Sequence, residues 1–94
     1  MKIVKLDGRY RLSNTYRYKM VFERLDARIQ PIRKAFEQMY GASCVETYEQ
    51  NRWIPKRTYN DNWRHFLNRK SSRNFLVEFY YNNESDATVV TLMI

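Results

Sequence analysis

Seven cations and two tryptophans gather between residues 52 and 74. There Arg52-Trp53-Ile54-Pro55-Lys56-Arg57-Thr58-Tyr59 leads through Trp63-Arg64-His65 to Arg69-Lys70-Ser71-Ser72-Arg73, with Asp61 as the one opposing charge. Cations beside flat aromatic rings suit a phosphodiester chain. The charges displace its counterions and the rings stack on its bases, at about 1–3 kcal/mol for each stacked base. Trp53 falls outside any periodic pattern and is the candidate for stacking, whereas Trp63 is better placed in a core, as tryptophan in a small protein usually is. The candidate contacts of this block are Arg52, Trp53, Lys56, Arg57, Tyr59, Arg64, Arg69, Lys70 and Arg73.

Residues 9–22 form a second block in which tyrosine and cation alternate. An extended strand sends Tyr16, Tyr18, Met20 and Phe22 to one face and Arg17, Lys19 and Val21 to the other. Arg9, Tyr10, Arg11, Arg17 and Lys19 are its candidate contacts. The plainer reading is a half-buried strand whose arginine stems cover apolar surface while their heads stay wet. Residues 52–74 therefore rank first, because cations in segments of weak periodicity have less packing to do.

Catalytic chemistry finds little to work with. His65 is the single histidine, and no acid or nucleophile stands at a recognisable spacing from it. Its bland reading is a partly exposed residue or a phosphate contact. Glu46 and Glu49 flank Tyr48 without resembling an acid–base pair. There is no phosphate-binding glycine loop, dinucleotide fingerprint or nucleophile elbow. Cys44 is the sole cysteine, too little for a disulfide or a metal cluster. A protein without enzymatic activity, metal or cofactor is expected.

Composition frames these blocks. Ninety-four residues, 44% of them hydrophobic and only two of them glycine, can build one modest core, so residues 1–94 are read as a single domain. A formal charge of +7 calls for an acidic partner. The charge is blocked as well: residues 25–51 hold three cations against four acids, and residues 75–94 hold three acids and no cation. The lone cysteine fits a reducing compartment. No apolar run approaches a signal peptide or the roughly 20 residues of a membrane span. A cytoplasmic location and no membrane contact are expected.

The elements that must position the candidates follow from periodicity. Residues 2–6 read as a strand, and Asp7-Gly8 as a two-residue hairpin turn returning through residues 9–12; alternatively residues 7–14 form one loop. Residues 15–24 read as a longer strand. Asp26 is a good N-cap for a helix in which Leu25, Ile29, Ile32, Phe36, Met39 and Tyr40 recur at spacings of three and four, and Gly41 sits where it would end. Pro31 requires either a kink or a start near Gln30. Residues 43–49 alternate as a strand, the pattern lapses over 50–60, and Asn60 or Asp61 could cap a short helix carrying Trp63, Phe66 and Leu67. Residues 75–81 and 87–94 are rich in β-branched and aromatic side chains and read as a closing hairpin. The order predicts an α+β fold. Its single, mostly antiparallel sheet has four to six strands, one main amphipathic helix covers one face, and a basic loop or short helix occupies residues 50–74.

Size, basicity and the strand-rich stretches 75–81 and 87–94 resemble RelE-type ribosome-dependent ribonucleases. These lack a metal and use cationic and tyrosine side chains, so the resemblance implies a small metal-independent ribonuclease. The chain departs from that family by opening with strands instead of one strand and a helical hairpin. Its Tyr-, Arg- and Asn-rich, glycine-poor style is similar to that of small bacteriophage-encoded proteins, which would place it in a host cytoplasm. The leading expectation is a nucleic-acid-binding protein for RNA or single-stranded DNA. The main helix lacks the basic face that groove recognition needs, while interleaved cations and aromatics make a stacking platform. The rival is a small inhibitor that covers a surface of a host enzyme or toxin with the same tryptophan and arginine side chains.

Overall fold

The computed structural model of the protein describes residues 1–8, 12, 14–48, 50, 53–69 and 74–94. In chain order the elements are strands β1 (Lys2–Lys5) and β2 (Tyr18–Glu23), helix α1 (Ile29–Tyr40), strands β3 (Cys44–Thr47), β4 (Lys56–Tyr59), β5 (Trp63–Arg69) and β6 (Phe75–Tyr81), and helix α2 (Asp86–Leu92). The fold is α+β. Four strands form an antiparallel sheet in the order β1-β2-β6-β5, and β3 pairs with β4 in a second, two-stranded sheet. Among the described residues no helix is long and apolar enough to cross a membrane.

β6 lies between β2 and β5, and its buried run Val77-Glu78-Phe79-Tyr80-Tyr81 fits a strand paired on both sides. Register sets Met20 opposite Phe79 and Phe22 opposite Val77, while Trp63 faces Tyr81 from the other side. α1 closes this face with Ile29, Ile32, Ala35 and Phe36. The Phe36 ring stacks on Trp63 at 5.2 Å and on Phe79 at 5.9 Å. α2 extends the same core with Ala87 and Val90, and the Tyr40 hydroxyl donates to Asp86 Oδ2 at 2.6 Å. The opposite face is polar and aromatic. Lys19 Nζ lies 2.8 Å from Glu78 Oε2, and the Tyr80 hydroxyl donates to Glu78 Oε1.

Several expectations are corrected. β1 pairs directly with β2, as the one-loop reading has it, and Gly8 does not take the positive φ of a type I′ turn. The proposed strand over residues 9–12 falls largely outside the described residues. Asp26 is not the N-cap. It precedes the helix by three residues and accepts the N–H of Arg28, the cap residue, on Oδ1. Pro31 is the third helical residue, where a backbone N–H would have no intrahelical acceptor, so the helix neither kinks nor loses a bond there. Leu25 lies outside the helix and is exposed. Residues 56–59 and 63–69 are strands where a loop and a short helix were expected, and residues 86–92 are helical where a strand was expected.

Candidate nucleic-acid interface

β3 and β4 form a ribbon that stands off the sheet. Its register pairs Cys44 with Tyr59, Val45 with Thr58, Glu46 with Arg57 and Thr47 with Lys56. Every residue of β4 is exposed, and so are Val45, Glu46 and Thr47, so the ribbon buries neither face. An isolated two-stranded hairpin is marginal in water, and its order here must come from its root. The radius of gyration, 14.2 Å, exceeds the roughly 12 Å of a compact chain of this length, in keeping with an arm of this kind.

The root is built on Asn60. Its N–H donates to Ser43 O at 2.9 Å, its side-chain amide to Tyr40 O at 2.8 Å and Ala42 O at 3.3 Å, and its Oδ1 accepts from the N–H of Asn62. The Asn60 carbonyl in turn accepts from the Tyr16 hydroxyl. Trp63 Nε1 donates to Gly41 O at 2.8 Å, and Gly41 ends α1 with φ 85°, a value that glycine adopts without strain. Arg64 completes the joint, its guanidinium carbon 3.8 Å from the centroid of the Tyr59 ring. Both ends of the arm are thus tied to the last turn of α1 and the first residue of β5.

Trp53 lies near the tip at 96% exposure, with Ile54 at 81% and Tyr48 at 68%. Lys56 and Arg57 follow on β4, both exposed. Arg57 Nε lies 3.0 Å from Glu46 Oε1, an exposed pair of the kind that contributes about 0–1 kcal/mol. A hydrogen bond to Tyr59 and the Glu46 charge raise its pKa further, so Arg57 stays cationic throughout the useful pH range.

The structure separates the other candidates. Arg17 is exposed at the arm's end of the sheet: it follows Tyr16, its N–H donates to Tyr81 O, and it lines an open polar recess with Asn14, Asn82 and Asn83. Lys19 is withdrawn from any interface, because its side chain is 12% exposed and ion-paired with Glu78. Arg69 is exposed six residues along β5 from Trp63, roughly 20 Å from the arm's root. Arg52, Lys70, Arg73, Arg9, Tyr10 and Arg11 lie outside the described residues. The basic block of residues 52–74 is therefore no continuous patch. Sequence reasoning missed Asn60, whose four side-chain and backbone bonds join segments distant in the chain.

His65 packs on Phe79 at 5.3 Å between ring centroids. Burial, and then the Arg33 charge, lower its pKa, so the ring is neutral at pH 7 and has no hydrogen-bond partner among the described residues. Among the same residues no three His, Cys, Asp or Glu side chains converge. The C-terminal hairpin that carried the likeness to RelE-type ribonucleases is not formed, since residues 86–92 are helical. Searches against protein-family models, curated proteins and solved structures find no match for this chain.

Proposed function

We propose that the protein binds single-stranded nucleic acid, RNA foremost, and that the β3–β4 arm is its contact element. One observation carries the reading: Trp53 is almost wholly in water, on a firmly rooted arm, with Lys56 and Arg57 on the strand that follows it. A tryptophan without packing work in the free protein is available to a ligand, and a base offers a flat partner. Lys56 and Arg57 supply phosphate contacts along β4, and Arg17 adds a cation at the root. The amides of Asn14, Asn82 and Asn83 beside Arg17 offer donors and acceptors to base edges.

Ile54 and Val45 favour a second reading. Both are aliphatic and exposed, and such side chains gain more from a protein groove than from phosphate. The arm would then insert into a partner protein as an inhibitor does.

Binding of labelled RNA and single-stranded DNA across a salt series separates the two. Four to six neutralised phosphates give a slope of log K against log salt of roughly −3 to −4. A flat response overturns the nucleic-acid reading, and a single stoichiometric protein partner captured without nucleic-acid affinity replaces it with the second.

A further inference from the structure

β5 is an outer strand of the main sheet, and among the described residues no strand pairs with its free edge. Such an edge presents backbone N–H and C=O groups that template another strand, and proteins guard it with short strands or repelling charges. The opposite edge is guarded. β1 has four residues with a lysine at each end, so two-fold antiparallel self-pairing would set Lys2 against Lys5 of the second copy, twice.

β5 is different on both counts. Its seven residues span about 23 Å of edge. Two-fold antiparallel self-pairing centred on Phe66 sets Arg64 against Asn68, His65 against Leu67, and Arg69 against Trp63 of the second copy, so no cation meets a cation. Leu67, 46% exposed on the helix-facing side, gains an imidazole to pack on. Arg33 and Glu37 of α1, 3.4 Å apart, are the charged groups acting on His65 and so border the same edge. A two-fold axis through Phe66 reverses their order and brings Arg33 of each copy toward Glu37 of the other.

We infer that two copies of this chain associate through β5 into one continuous eight-stranded antiparallel sheet. The interface is self-complementary in charge along strand and helix alike. It lies apart from the tip of the β3–β4 arm, so the dimer presents two arms to a ligand. Each copy carries a net charge of +7, so added salt strengthens the association by screening repulsion, the reverse of its effect on nucleic-acid binding.

Sedimentation equilibrium of the full chain over a concentration and salt series is the test. The expected result is a species of twice the 11.6 kDa chain mass that tightens with salt. Leu67→Lys, at an exposed position, should weaken it by roughly tenfold or more, and Ile3→Lys on the opposite edge should leave it intact. In a mixture of labelled and unlabelled wild-type chains, nuclear Overhauser contacts between Leu67 methyls of one copy and the His65 ring of the other report the pairing without any variant. A monomer at all concentrations up to about 1 mM overturns the inference. So does a dimer that lacks those contacts, survives Leu67→Lys or is broken by Ile3→Lys.

Discussion

The guanidinium of Arg64 lies 3.8 Å from the centroid of the Tyr59 ring, joining the last residue of the arm to the edge strand of the main sheet. At a partly exposed site a contact of this kind is worth about 0.5–1 kcal/mol. A double-mutant cycle with Tyr59→Ala and Arg64→Ala, read by thermal melts, should therefore return a coupling of that size. Additive single effects would show that the contact does not brace the arm.

Reversing Lys56 and Arg57 to glutamate should weaken RNA binding by well over tenfold, because two phosphate contacts become repulsive. Trp53→Ala should cost a further 5- to 100-fold or so, the worth of one stacked base. Neither change should shift stability by more than about 0.5 kcal/mol, since the side chains are exposed. Fluorescence anisotropy paired with melts makes the comparison. Normal binding by these variants, with loss on charge reversal of Arg9, Arg11 and Arg17, would move the site to the opening segment.

Asn60→Ala removes the amide bonds to Tyr40 and Ala42 and the acceptor for Asn62. Leaving those groups unpaired costs about 1–3 kcal/mol, which for a chain of this size lowers Tm by roughly 5–20 °C. Hydrogen exchange should quicken in β3 and β4 before it does in β6. Uniform quickening across both sheets would deny Asn60 its part in rooting the arm.

Lys19 and Glu78 are an ion pair held largely from water. Lys19→Met leaves a buried carboxylate without its cation, at about 3–5 kcal/mol, whereas Lys19→Met with Glu78→Leu removes both charges and should recover much of the loss. Chemical denaturation of the two variants decides the matter. A double variant less stable than the single would mean that the pair is net stabilising.

Tyr40 holds α2 to α1. Its hydrogen bond to Asp86, with burial and the Asp86 charge, pushes the phenol up to about 12. A folded pKa raised above the ordinary value of 10.0 contributes stability that is present below pH 10 and lost as pH rises toward 12. Stability should therefore fall across that interval in the wild type and fall less steeply in Tyr40→Phe. Equal slopes in the two would show that the bond does not couple the helices.

Much of the framework can be read from side-chain order alone. Ile29, Ile32 and Phe36 announce α1 because one stripe of it is buried, and Tyr18, Met20 and Phe22 announce the buried face of β2 for the same reason. The exposure of Trp53 could also be foreseen, since it falls outside every periodic run. Composition and charge blocks confined the function to partners of opposite charge.

Tertiary structure alone decided three elements and the site. β4 is silent in sequence because an alternating pattern needs one buried face, and the arm buries neither. In β5, Trp63, Phe66 and Leu67 fit a helical spacing as well as Trp63, His65 and Leu67 fit a strand; pairing with β6 chose between them. Residues 86–92 carry β-branched side chains suited to a strand, yet both sides of β6 are taken by β2 and β5. Burial of Ala87 and Val90 against the core, with the Tyr40 bond to Asp86, favours a helix instead. The dispersal of the basic block follows from the same choice, because making residues 63–69 a strand carries Arg69 away from the arm that holds Lys56 and Arg57. Local preferences weigh tenths of a kcal/mol per residue, and the pairing and burial that overrule them involve residues far apart in the chain.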